Sequence, residues 1–166
     1  MHSQATLTEL LRGHGAHADP LACVSDVTVE EASQHPQGHT FSIYQIVWHL
    51  NFWMDYERRK IDSEKVTYPA HASLSWPSSG KPPDESEWRT TVERFSELLG
   101  HLESLSGSSA VVLQREVAAD QPGKPPSSVE ARLLQTLAHN SYHIGQIVLL
   151  RRAMNAWPPP RGGDSW

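Results

Sequence analysis

Apolar residues in this chain recur at helical spacing in four long runs, separated by stretches rich in Pro, Gly and Ser. A short polar residue followed three positions later by Glu or Gln heads these runs, the pattern of a helix start. Thr6 with Glu9 opens the first, whose Leu7, Leu10 and Leu11 share a face before Gly13 and Gly15 weaken it. Asp19 followed by Pro20 restarts the helix through Leu21 to Val24, and Thr28 with Glu31 opens a short helical turn that HPQGH, His35 to His39, ends. Ser42 with Gln45 predicts a long helix from about Ile43 to Ile61, with a stripe of Ile43, Ile46, Val47, Leu50, Trp53 and Met54. Asp84 with Glu87 starts another, running through Trp88, Val92, Phe95, Leu98, Leu99 and Leu102 to about Leu105. Ser127 with Glu130 starts the last, which continues to about Asn155. That final helix is apolar almost all round, through Leu133, Leu134, Leu137, Ile144, Ile147, Val148 and Leu149, and is expected to be the buried one.

Between these runs, residues 63–83 hold four Pro and no sustained period, so they form a long connection, functional or strapped to the surface by Tyr68 and Trp76. VVLQREV, Val111 to Val117, is short and mixed and gives no ground for a sheet. Four main helices without a strand pair predict an all-α four-helix bundle, a single domain over residues 1–166. The closing WPPPRGGDSW cannot continue a helix, because Pro158 to Pro160 lack donors; it is expected to fold back with Trp157 and Trp166 as anchors or to reach a partner subunit.

Charge narrows the function. Fourteen basic against 19 acidic residues give a net charge of −5, which argues against nucleic-acid and anionic-membrane partners. One cysteine, Cys23, excludes an internal disulfide and a Cys-based zinc site and suits a reducing compartment. With no leader and no apolar run of membrane-spanning length, the expected location is the cytoplasm.

The chemistry lies in AHNSYHIGQI, Ala138 to Ile147. His139 and His143 project from one helix face with about 6 Å of axial rise between them, close enough to share a metal ion. Ten histidines in 166 residues produce about 0.6 such pairs by chance, so spacing needs context to count. His35 and His39 share the spacing but bracket Pro36 and Gly38 in a loop, where it loses its geometric meaning. On an apolar helix, by contrast, two imidazoles incur desolvation unless something satisfies them, and a hydrogen-bonded structural role is the plainer way to do so. His49, on the shoulder of the long stripe beginning at Ile43, is the best third ligand.

Asn140 stands where an H-E-x-x-H protease needs its Glu, and no acid precedes either histidine by three residues as a di-iron bundle requires. Three neutral imidazoles suit zinc best, with nickel, manganese or iron(II) also compatible. No catalytic acid accompanies the pair on its helix, so proton transfer falls to bound water or to a loop residue such as His71 or Tyr68. Gln45, Trp53, Arg132 and Gln146 lie on or near the histidine-bearing faces, as residues that orient ligands or hold substrate.

SIYQIVWHLNFW, HNSYHIGQIVLLRR and WPPPRGGDSW together resemble the DinB-like (YfiT-like) superfamily over essentially the whole chain. The resemblance implies an up-up-down-down bundle with long crossover loops, usually a homodimer, holding one divalent metal. Its three histidine ligands fall on His49, His139 and His143. Relatives include S-transferases that use low-molecular-weight thiols such as bacillithiol or mycothiol, a mycothiol-dependent isomerase, and many proteins of unassigned activity. The expectation is a metal-dependent enzyme that activates such a thiol for attack on a small electrophilic substrate. Hydrolysis by metal-bound water, or a non-enzymatic stress-induced metal-binding bundle, are the alternatives.

Overall fold

The structure, a computed structural model, describes residues 2–160 and Gly163, with side chains from Thr6 onward. Among the described residues its regular elements are helices, apart from one two-residue ladder. Helix α1 (His2–Leu11) begins upstream of Thr6, so the Thr6–Glu9 pair lies inside the helix and not at its start. Gly13 ends this stretch at φ +79°, where a Cβ would run into the carbonyls of His17 and Ala18. The Asp19 carboxylate accepts from the Ala22 amide at 2.9 Å, but residues 20–26 close as hydrogen-bonded turns and not as a restarted helix. Helix α2 (Val29–Ser33) and helix α3 (Ile43–Ile61) both open with reciprocal capping boxes, Thr28 with Glu31 and Ser42 with Gln45. Asp84 caps α4 (Glu85–Ser106) through the Glu87 amide. A one-turn α5 (Ala110–Leu113) leads into β1 (Glu116–Val117), which pairs antiparallel with β2 (Ser127–Ser128). That ladder uses Ser127 as a strand residue, so the cap of α6 (Val129–Ala153) moves one place to Ser128, whose hydroxyl accepts from the Ala131 amide.

Side-chain pairs fix the helix directions. Thr8 meets Ser106 and Arg12 meets Glu103, so α1 and α4 are antiparallel. Asn51 bonds the Thr91 carbonyl and Asp55 pairs with Arg94, so α3 and α4 run parallel. His49 meets His139 and Glu57 meets Arg132, so α3 and α6 are antiparallel. Along the chain the four long helices therefore run up-down-down-up, which corrects the up-up-down-down order implied by resemblance. Only the α3-to-α4 link has to return the chain along the bundle, and residues 62–84 do this.

The core collects Ile43, Ile46, Val47, Leu50 and Met54 of α3, Phe95, Leu98 and Leu102 of α4, and Leu133, Ile144, Ile147 and Leu150 of α6. Each such side chain contributes about 1.5–3 kcal/mol by leaving water. Trp88 reaches back to donate its indole N–H to the Val27 carbonyl at 2.7 Å. Helix α6 is not buried all round. Its polar line turns inward, with Arg132, Thr136, Asn140 and His143 buried, while Leu134, Tyr142 and Leu149 are exposed at 50, 65 and 54%.

At the far end of α6, Arg151 grips Asp26 with two bonds of 2.7 and 2.8 Å and also donates to the carbonyls of Cys23 and Ala156. Trp157 folds back between Arg151 and Arg152, with Gly163 against its ring. Trp166, the second expected anchor, lies outside the described residues. Among the described residues, no helix is long and apolar enough to cross a membrane.

Candidate metal centre

His139 and His143 sit one turn apart on α6, and His49 faces them from α3, which the antiparallel packing brings alongside. One nitrogen from each imidazole lies within 4.8 Å of the other two. The contact of His49 Nε2 with His139 Nε2 is 3.2 Å. Two ligands about 2.05 Å from a tetrahedral ion stand about 3.3 Å apart, so this edge already has the spacing of a zinc site.

Hydrogen bonds assign the ring tautomers. His49 Nδ1 is 2.8 Å from the Ser75 carbonyl, which can only accept, so Nδ1 carries the proton and Nε2 keeps its lone pair. His143 Nδ1 is held at 2.7 Å by the side-chain oxygen of Gln146, with the same consequence. Burial lowers the pKa of His49 to about 4, and the neighbouring imidazoles push it the same way, against the opposing Ser75 bond. Burial, with His143 beside it, lowers His139 to about 4 as well, and burial lowers His143. At neutral pH all three rings are neutral donors. The residues fit a divalent ion.

The segment after α3 builds the other wall. A 3-10 turn, Ala72–Ser75, presents the Ser75 carbonyl to His49. Trp76 then lies flat on the His49 ring, with centroids 3.9 Å apart and planes 11° apart, and Phe41 stacks on its far face. Ser42 ties this strap down through its hydroxyl to the Gly80 carbonyl at 2.6 Å. Beside the triad opens a cavity of about 280 Å³, reached by His49 and His139 and walled by Trp53, Tyr68, Trp76, Glu57, Asp120, Gln135 and Thr136.

The family model of the DinB superfamily matches residues 14–147, a span that includes all three histidines. The chain belongs to the DinB superfamily. No curated protein matches the sequence.

In this DinB chain the other candidate residues separate by place. Gln146 orients His143, and Trp53 and Tyr68 wall the cavity with their rings 5.6 Å apart. Gln45 is taken by the α3 cap and by His35, 3.0 Å away. Arg132 stands behind the cavity wall, its guanidinium on Glu57 at 2.8 Å and Asp120 at 3.1 Å. His71 is exposed on the strap and outside the residues that line the cavity, so of the two proton-transfer candidates only Tyr68 faces it. Asn140 turns into the core against the Met54 sulfur, in keeping with the exclusion of the protease mechanism.

Sequence reasoning missed Glu57, Asp120 and Ser75, and had Trp76 only as an aromatic of the long connection. Glu57 had a signal, since positions 49, 53 and 57 repeat every four residues along one face of α3. Asp120 and Ser75 lie in irregular segments, where no period marks them.

Proposed function

We propose that this protein is a metal-dependent enzyme in which His49, His139 and His143 hold one divalent ion, zinc by preference, and that it transfers a low-molecular-weight thiol to an electrophile. The observation that carries the reading is the convergence of three neutral imidazoles, two with Nδ1 fixed by carbonyl oxygens, beside a cavity that His49 and His139 reach. When bound, such an ion lowers the pKa of a thiol or water that it ligates and so supplies a nucleophile at neutral pH. The chain's own residues do the rest. Ser75 and Gln146 hold two ligand rings in orientation, Trp76 covers His49, and Trp53 and Tyr68 shape the space for the reactants.

Elemental analysis of wild type and His49→Ala tests the site. About one ion per wild-type chain, lost in the variant, is the expected result. Wild type without stoichiometric metal, even after divalent ions are added back, sinks the reading. Turnover of an electrophile only with added thiol supports transfer, and turnover without thiol moves the assignment to hydrolysis.

We also propose that the protein works as a homodimer, supported by the exposed stripe of Leu134, Ala138, Tyr142 and Leu149 along α6. Sedimentation equilibrium of the full chain checks it, with twice the chain mass expected.

A further inference from the structure

We propose that the cavity beside the histidine triad takes a small molecule carrying a protonated amine, or an equivalent cationic N–H group, at the end remote from its reacting atom, and that Glu57 selects it. The inference rests on the metal-site reading and names the substrate class for that site.

The cavity has two chemically different ends. His49 and Glu57 lie eight residues apart on α3, with Trp53 midway on the same face. Eight residues span about 12 Å of helix axis, so a molecule whose reacting atom is at the triad must be several bonds long to meet Glu57. Trp53, Tyr68 and Trp76 wall the space between. At about 280 Å³ the cavity lies just below the range of about 300–1,000 Å³ typical of ligand sites, which fits one small molecule.

At the far end the wall offers acceptors. Glu57 and Asp120 are the charged carboxylates among the lining residues, and no Lys or Arg lines this cavity among the described residues. Glu57 is only 7% exposed, and what exposure it has opens here. Its Oε2 takes the Arg132 Nη1 donor at 2.8 Å, while Asp120 Oδ1 takes Tyr56 and Arg132 Nη2. Among the described residues, Glu57 Oε1 and Asp120 Oδ2 accept no hydrogen bond. An ionised carboxylate only accepts, so a ligand group that satisfies these oxygens has to donate. Indole and phenol faces favour a cation over an anion. Arg132 does not line the cavity, and both its terminal nitrogens already donate, to the two acids and the Ala118 carbonyl. A carboxylate at this end would face the open oxygens of two acids, with the neutral side chains of Tyr68 and Gln135 as donors on the wall and the cations Arg132 and Lys60 behind the acids they pair with.

The test uses three probes with one body and different ends, namely 4-phenylbutylamine, 4-phenylbutyrate and 4-phenylbutan-1-ol. Binding is read by tryptophan fluorescence on the full chain, as purified and after chelation. The amine is expected to bind roughly tenfold or more tightly than either isostere, the worth of a hydrogen bond to a charged group. Glu57→Gln is expected to bring the three to near parity, with Asp120→Asn as a second variant lowering the preference in part. Because the wild-type ranking needs no variant, it decides even if Glu57→Gln fails to fold. A carboxylate that binds as tightly as the amine, or absence of saturable amine binding, overturns the proposal. So does a folded Glu57→Gln protein that keeps the wild-type preference. Failure of the metal reading registers separately, as missing metal, because the ranking is also taken on chelated protein.

Discussion

Helix α6 carries two buried arginines, one near each end, and they are used in opposite ways. Every guanidinium nitrogen of Arg151 donates, with Nε on the Ala156 carbonyl, Nη1 on Cys23 and Asp26, and Nη2 on Asp26. Arg132 is equally inaccessible, yet its Nε is buried without a partner, and the acids it holds present open oxygens to a cavity. Burying polar groups is costly unless they are paired, so a cluster kept for stability alone closes its hydrogen bonds. Arg151 behaves as a clamp between helix, turn and tail. Arg132 instead holds two carboxylates in the wall of the cavity beside the triad.

The sharpest way to break this contrast is by substitution. Arg132→Met alone strands Glu57 as a buried unpaired carboxylate and is expected to cost about 3 kcal/mol, or roughly 6–12 °C in Tm. Adding Glu57→Leu should restore stability to within about 1 kcal/mol of wild type, because it removes the buried charge, and the remaining acceptors of Arg132, Asp120 and the carbonyl of the exposed Ala118, can turn to water. Arg151→Met is expected to cost about 2 kcal/mol, and Asp26→Leu should not rescue it, since the carbonyls of Cys23 and Ala156 stay without their donor. Calorimetry of the four variants checks this, and equal rescue at both ends would erase the distinction.

The smallest effect is one of sign. Its bond to Arg151 holds the Asp26 carboxyl below its ordinary 3.8, so the stability it adds is present above that value and lost as pH falls through the depressed one. Burial raises Glu57 above its ordinary 4.5 despite Arg132, so the stability linked to its proton is complete below 4.5 and lost as pH rises. Thermal melts from pH 3 to 7 should show the deficit of Asp26→Asn shrinking toward acid, and Glu57→Gln gaining on wild type toward neutral pH.

Local chemistry explains what was legible from sequence alone. Capping at Thr28, Ser42 and Asp84 depends on residues three apart, and the pairing of His139 with His143 on residues four apart, so short-range rules found them. The same rule failed at Thr6, where the helix starts earlier, and slipped at Ser127, which a ladder to Val117 claims. Helix direction is a long-range property that no local pattern encodes. The inward turn of the α6 polar line was hidden because the site reverses the usual code: Arg132, Thr136 and His143 are inside, and Leu134 and Leu149 outside.

Parallel packing of α3 and α4 obliges the chain to travel back along the bundle, and the returning strap supplies Ser75, Trp76 and Tyr68 to the site. Two histidines of the triad sit on α6 and the third on α3, so none belongs to that strap. The strap thus shapes the aromatic wall of the cavity, while the three histidines and Glu57 stay with the helices. Exchange of residues 64–80 between bundles would change that aromatic wall and the carbonyl that His49 faces, while leaving in place the helices that carry the three histidines and Glu57.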